Sequence, residues 1–453
     1  MNSYEGGMIR IESSSQYEDT YSTFKNNIAY DGGAISISSS NASLNGTIIE
    51  YNYAKRTAGA IILKDESYMN TFYNVTVLGN EAAYSVGVLY CESESYFLIQ
   101  SSSFMNNTSG DTSVLYSLLW SNQSLISDSS FSYNNSTVGG TVKTILTNFT
   151  IYNTTFNDNI SSQQTSSIYV AFSLMNITSC QFTNSDTNSE TNSKSSKLTG
   201  GFLFFTADSY IEISESNFTN GYASSGGAIY SAGDCIAVIS FWRFENNAAA
   251  TYGGSIYSNN NNITVNNSTF YRNIAVLQGS DVYTTFGYIT INECNFEIGK
   301  IVSVYTTGTT ANLYKVNMVG YDTSDNQYTS DFGAGVYAED STDFVVESST
   351  FENLTFAQAG GAIAIYKTGS LTENDELPNS TYYTIKDSTF TSNLAYVGGA
   401  IYIYDTETVS ISNCTFDSNK ADLTDQEENS GFGGAILYHT SGKLENDPKL
   451  FYS

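Results

Sequence analysis

Few residues in this chain are of types that break or transfer bonds, and their spacing decides what they can do. Hydrolysis of a glycoside needs two carboxylates across the scissile bond. A lyase reaction needs a base, with an Arg or Lys and often a cation beside it. The four arginines, Arg10, Arg56, Arg243 and Arg272, lie far apart. Arg243 and Arg272 stand in comparable positions beside Phe244 and Phe270, but no carboxylate pair joins them. His439 is the only histidine and has no Cys or Asp framework around it, so it reads as a surface residue. Asp422, Asp425, Glu427 and Glu428 bring four carboxylates together. Ca²⁺ takes several oxygen ligands, but this spacing matches neither an EF-hand nor the glycine-rich nonapeptide repeat. A solvated acidic loop is the expectation there, with no metal and no other cofactor assigned. No catalytic residue emerges, and the chain reads as a non-enzyme.

Cysteine, asparagine and tyrosine carry the remaining chemistry. Three of the five cysteines, Cys180, Cys294 and Cys414, stand two residues before Phe182, Phe296 and Phe416. Ser fills the same slot at Ser22, Ser102, Ser129, Ser216 and Ser388. The slot therefore reads as an inward column of small residues, and the cysteines, Cys91 and Cys235 included, are expected to form no disulfide. Nineteen Asn-x-Ser/Thr sequons are present. In an extracellular chain, N-glycans are expected at Asn41, Asn45, Asn74, Asn122, Asn148, Asn176, Asn217, Asn262, Asn353, Asn379 and Asn413. Asn107, Asn134 and Asn159 are sequons too, but they fall in a slot whose side chains should point into a turn, so they are expected to stay bare. Tyr90, Tyr230, Tyr257, Tyr337 and Tyr402 alternate outward along strands, where they would pack from coil to coil or stack on a glycan.

The element that positions all of these is a short unit repeated end to end. Gly32 to Ile35, Gly226 to Ile229 and Gly398 to Ile401 each read Gly-Gly-Ala-Ile, with Phe24, Phe218 and Phe390 shortly before. The third residue of each copy falls at Met8, Ala34, Ala60, Val88, Val114, Thr141 and Ser167, in steps of 26, 26, 28, 26, 27 and 26 residues. It recurs at Phe202, Ala228, Ser255, Asp281, Ser303, Gly335, Ala362, Ala400 and Ala435, with Ser167, Asp281 and Ser303 placed by spacing alone. Within a unit, Ile401 to Ile403, Val409 to Ile411 and Ser388 to Phe390 alternate with period two. Three short strands per coil follow, and about fifteen coils of roughly 26–28 residues. The fold class is all-β, a right-handed parallel β-helix. Phe should stack on Phe, and the Asn of Phe-x-x-Asn should form an amide ladder at a turn that tolerates left-handed backbone.

Phe24/Asn27 with Gly32 to Ile35, Phe131/Asn134 with Gly139 to Val142, Phe244/Asn247 with Gly253 to Ile256, and Phe390/Asn393 with Gly398 to Ile401 resemble the repeats of chlamydial polymorphic outer-membrane proteins and their protist relatives. Phe416/Asn419 with Gly433 to Ile436 is another such pair. The resemblance implies a surface-exposed β-helical passenger used in adhesion, and does not imply catalysis. β-Helices are also the fold of pectate lyases and polygalacturonases. A carbohydrate-active enzyme, or a glycan- or partner-binding module using the Tyr face, therefore stands as the alternative.

Composition narrows the partners. The net charge of −28, from 45 acidic and 17 basic residues, argues against nucleic acid and against an anionic membrane surface. Other surface proteins, extracellular proteins or glycans are the expected partners. The chain reads as one elongated repeat domain over residues 1–453 with loops inserted near 185–199, 321–331, 371–381 and 421–430. Because Gly6-Gly7-Met8-Ile9 already reads as a repeat, the expectation is a stretch of a longer polypeptide, with any membrane anchor outside it.

Overall fold

Each motif position has its own physical reason. In the Gly-Gly-Ala copies the first Gly takes a left-handed φ, +60° at Gly32 and +58° at Gly398, which L side chains adopt only at a cost. The second Gly has an ordinary φ but lies against the next coil. A Cβ on Gly59 would sit 2.6 Å from the Glu81 carbonyl oxygen and closer still to that of Gly87. The β-branched and aromatic runs that follow prefer a pleated, buried strand. A computed structural model describes residues 3–119, 122–185, 199–298, 301–320, 330–355, 357–367, 382–406, 408–421, 433–439 and 449–452. Among these every strand pairing is parallel, and the chain divides into two compact units, residues 1–237 and 238–453.

In the first unit one coil runs Ile35–Ser38, Asn41–Asn45, Ile48–Glu50 and Tyr53–Thr57. The three runs expected from alternation are strands, and a fourth short strand forms between the Asn turn and the Gly pair. Coils pair in register one repeat apart: Ile61 opposite Ile35 and Leu89, and Phe104 opposite Phe131 after Val77. The Phe rings stack at centroid distances of 4.8 Å (Phe104–Phe131), 4.9 Å (Phe131–Phe156), 5.0 Å (Phe156–Phe182) and 4.8 Å (Phe182–Phe218). Fully burying one such side chain is worth roughly 1.5–3 kcal/mol, and the ring pairs add to that.

The second unit repeats the plan, with Ile401–Tyr404, Thr408–Ser412, Thr389–Thr391 and Leu394–Val397 as examples of the four strands. Its ring column runs Phe244–Phe270 at 4.8 Å and Phe270–Phe296 at 4.5 Å, passes to Met318, and resumes at Phe351–Phe390, 5.0 Å, and Phe390–Phe416, 4.9 Å. The degenerate copies are in phase. Thr141 N–H donates to the Ser167 carbonyl, Ser255 N–H to that of Asp281 and Asp281 N–H to that of Ser303, in the pattern Ala34 makes with Ala60.

The Asn ladder corrects one expectation. The left-handed residue of that turn is the one before the ladder Asn: Asn26, Tyr51, Asn106, Tyr133 and Asp158 have φ of 51–57°. The ladder Asn is needed for its amide. Nδ2 of Asn27, Asn52, Asn80, Asn107 and Asn134 donates to Oδ1 of the next Asn at 2.8, 2.9, 3.1, 3.0 and 3.0 Å. That Oδ1 also accepts the backbone N–H of the preceding Asn, as Asn134 does from Asn107 at 3.0 Å. The second Nδ2 hydrogen caps a carbonyl of the coil before, such as Asn134 to Phe104 at 3.0 Å. From Asn52 to Asn134 each buried amide is thereby satisfied within the turn.

Candidate functional site

The residues weighed for catalysis do not converge. Arg10 Nε donates to Glu12 at 2.9 Å, and Arg243 Nε to Glu245 at 2.8 Å with its guanidinium over the Tyr271 ring. Arg272 also lies over the Tyr271 ring, 4.8 Å from its centroid. Arg56 binds the buried Asp31 through Nε, 2.9 Å, and through a second nitrogen, and this hydrogen bonding raises the Arg56 pKa further. His439 is exposed and stacks on Tyr404 at 5.4 Å. Asp422, Asp425, Glu427 and Glu428 lie outside the described residues, as do most residues of the four inserted loops. Among the described residues no group of His, Cys, Asp or Glu is placed to hold a metal ion, and no helix is long and apolar enough to cross a membrane.

The cysteines are free thiols. Cys180 shows why Ser and Cys exchange in this slot. Its Sγ donates to the carbonyl two residues back, Thr178 at 3.3 Å, and to Ile151 of the coil before at 3.8 Å. Ser102 makes the same two bonds, to Gln100 at 2.9 Å and Phe72 at 3.3 Å. Burial pushes the Cys180 and Cys294 thiols up to about 12, so they stay protonated and inert. The column is not uniformly small: Trp242 occupies it, 3% exposed, beside the Phe244 ring.

The sequon residues split by environment. Asn45, Asn74, Asn148, Asn217, Asn262, Asn353 and Asn413 are exposed, and Asn176 is half-buried. Asn41 is exposed but turns its amide nitrogen to the Tyr68 carbonyl. Asn122 lies in the strand Asn122–Ser127, and Asn379 lies outside the described residues. Asn107, Asn134 and Asn159 are at most 2% exposed, with their amides spent in the ladder.

The tyrosine column is less open than alternation implies. Tyr90, Tyr230, Tyr257 and Tyr402 are half-buried and Tyr337 is buried. In the first unit Tyr90 meets Tyr116 at 5.5 Å, and both pack on Ala58, Ile62 and Val86. In the second, Tyr257, Tyr283, Tyr305 and Tyr337 succeed one another at 5.4, 4.9 and 4.9 Å. Residues just before a Gly pair or its equivalent pack on these rings, Ala58 and Val86 against Tyr90 and Phe332 against Tyr337 at 5.3 Å, and the column itself packs from coil to coil.

Two features escaped the sequence reading. The first is Asp281, fully buried at the Ala position of its Gly-Gly-Ala copy. Asn273 Nδ2 donates to its Oδ1 at 2.9 Å, and Ser303 Oγ to its Oδ2 at 2.6 Å. Asn273 accepts from Asn247 at 3.1 Å, and in sequence Gly299 stands where the next ladder Asn belongs. The carboxyl of Asp281 replaces the missing amide. Burial pushes its pKa up to about 7 despite these hydrogen bonds. The clue in the sequence is that coincidence of an acid in a small-residue slot with a Gly in the Asn slot.

The second is a polar groove of about 850 Å³ in the first unit. It crosses the turn between the Gly-Ile strand and the strand after it, from Ser14 through Ser39 and Asp65 to Glu94 and Leu119, touching five successive coils. Its residues include the consecutive left-handed pairs Asp65–Glu66 and Ser93–Glu94. Tyr68 lies in its wall, 39% exposed and 5.9 Å from Tyr96.

Comparison with known families agrees with this architecture. Residues 320–447, in the second unit, match the model of the right handed beta helix region. Residues 21–38, in the first, match the Chlamydia polymorphic membrane protein repeat. No curated protein matches the chain. The chain is a right-handed parallel β-helix that carries a repeat of the Chlamydia polymorphic membrane protein type.

Proposed function

We propose that this chain is a non-catalytic repeat protein of the cell surface or extracellular space, acting as an adhesive or structural element. The observation that carries the reading is the use to which the motif residues are put. The Phe, Asn, Ser/Cys and Gly columns each serve the joint between one coil and the next. Within such a stack, function falls to what projects from the turns. The polymorphic membrane protein repeat at residues 21–38 supports a surface setting, and exposed sequon residues such as Asn45 and Asn148 suit N-glycans there. The arginines, engaged with Glu12, Asp31, Glu245 and Tyr271, give no support to an enzyme.

Protease shaving of intact cells of the source organism tests this. Peptides of this chain should be released from unbroken cells, carrying glycans at Asn45 and Asn148 and none at Asn134. Recovery only after lysis, with every sequon bare, would overturn the surface assignment.

A further inference from the structure

The groove on the Ser14-to-Leu119 turn has a hydrogen-bonding character that selects its ligand. Its backbone donors are already used: Ser14 N–H goes to the Ser39 carbonyl at 2.8 Å, Glu66 to Ser93 at 3.0 Å and Glu94 to Leu119 at 3.0 Å. Hydroxyls of lining serines are also committed: Ser15 Oγ donates to the Glu12 carbonyl at 2.7 Å, Ser39 Oγ donates to the Asp65 carbonyl at 2.9 Å, and the Ser40 hydroxyl accepts the Ser15 backbone N–H at 3.1 Å. Acceptors are left over. Asp65 takes one bond from Ser38 Oγ at 2.6 Å and Glu66 one from Tyr68 OH at 3.0 Å, whereas each carboxylate can accept about four. Glu94 adds a third carboxylate, and no Lys or Arg lines the groove. A fitting ligand is rich in donors, bears no negative charge, and has an apolar face to set against a ring. Four coil steps make the trough about 19 Å long, which suits a chain rather than a single small molecule.

We propose that this groove binds a neutral oligosaccharide laid across the five turns, with Asp65, Glu66 and Glu94 accepting sugar hydroxyl hydrogens and Tyr68 packing against a pyranose face. The inference goes beyond the surface assignment and stands or falls separately from it, since the test reads binding and not location. Because Asn41 lines the groove within a sequon, the full chain is made in a host that adds no N-glycans. Titration calorimetry then uses cellohexaose, mannohexaose and chitohexaose as neutral probes, hexagalacturonate as the acidic probe and hexalysine as the cationic one. At least one neutral hexasaccharide should bind at submillimolar concentration and keep its affinity at about 0.5 M salt, where a purely ionic contact is screened. Hexagalacturonate should not bind. Tyr68→Ala, Asp65→Asn and Glu94→Gln should each weaken the neutral sugar about tenfold or more, with unchanged thermal melts. Phe286→Ala, in the other unit, should leave affinity unchanged. Three results would each overturn the proposal: no heat from any neutral hexasaccharide at millimolar concentration, salt-sensitive binding of hexalysine alone, or neutral binding indifferent to all three groove substitutions.

Discussion

Replacing Asp281 by Asn should stabilise the second unit at neutral pH and leave it unchanged in acid. The folded carboxyl has its pKa near 7, against an ordinary aspartate near 3.8, because burial penalises the anion. Below pH 4 both folded and unfolded chains hold the proton, and the site costs nothing. Between pH 4 and 7 the unfolded chain releases the proton while the folded one keeps it, so stability falls as pH rises, by up to about 1.4 kcal/mol per unit of pH. Above pH 7 both are ionised, and the loss levels off at about 4 kcal/mol. Asn keeps an oxygen for Asn273 and offers an amide hydrogen to Ser303, so the variant retains both bonds without the charge. Urea unfolding would be followed by Trp242 fluorescence in a Trp120→Phe background from pH 4 to 9, since Trp242 is buried in the same unit. Taking the difference between Asp281→Asn and its parent cancels every other titrating group. The difference should be near zero at pH 4 and rise to several kcal/mol at pH 8. A flat difference, or a variant less stable than its parent at pH 8, would refute the assignment of Asp281 as a buried acid standing in for a ladder amide.

Four further substitutions probe the joints between coils. Asn134→Ala removes two donated and two accepted bonds in a buried turn, and should cost the first unit about 3 kcal/mol in urea unfolding. Thr144→Val should gain about 1 kcal/mol, since its buried hydroxyl has no hydrogen-bond partner and its register neighbours are Ser117 and Val170. Gly59→Ala should cost about 3 kcal/mol because the clash is with backbone of the next coil. Gly434→Ala, where nothing lies within 4 Å of the added carbon, should be silent in a thermal melt.

What could be read in advance divides along physical lines. The Gly-Gly-Ala-Ile phase was legible even at Ser167, Asp281 and Ser303, because a solenoid fixes spacing more strictly than residue identity. The Phe and Asn columns were legible because each needs one residue type at one offset. The fourth strand was not: Glu81–Ala82 and Thr108–Ser109 are too short to show alternation. Trp242 in a column of Ser and Cys gave no warning, since only the room beside Phe244 admits it. The half-burial of the tyrosines was hidden because the segment covering them comes from the approach to the Gly pair, not from their own strand. The groove depends on which turns carry paired left-handed residues, and at Asp65–Glu66 and Ser93–Glu94 these are residue types that do not announce that conformation.

The most direct test of the central claim, that every motif copy is a rung in one continuous phase within its unit, is amide hydrogen exchange resolved by mass spectrometry. The amides of 280–282 and 303–304 should be as protected as those of 254–256 and 361–363, since each donates to a carbonyl of the next coil. Rapid exchange at the degenerate copies, with protection confined to the Gly-Gly-Ala-Ile copies, would contradict it.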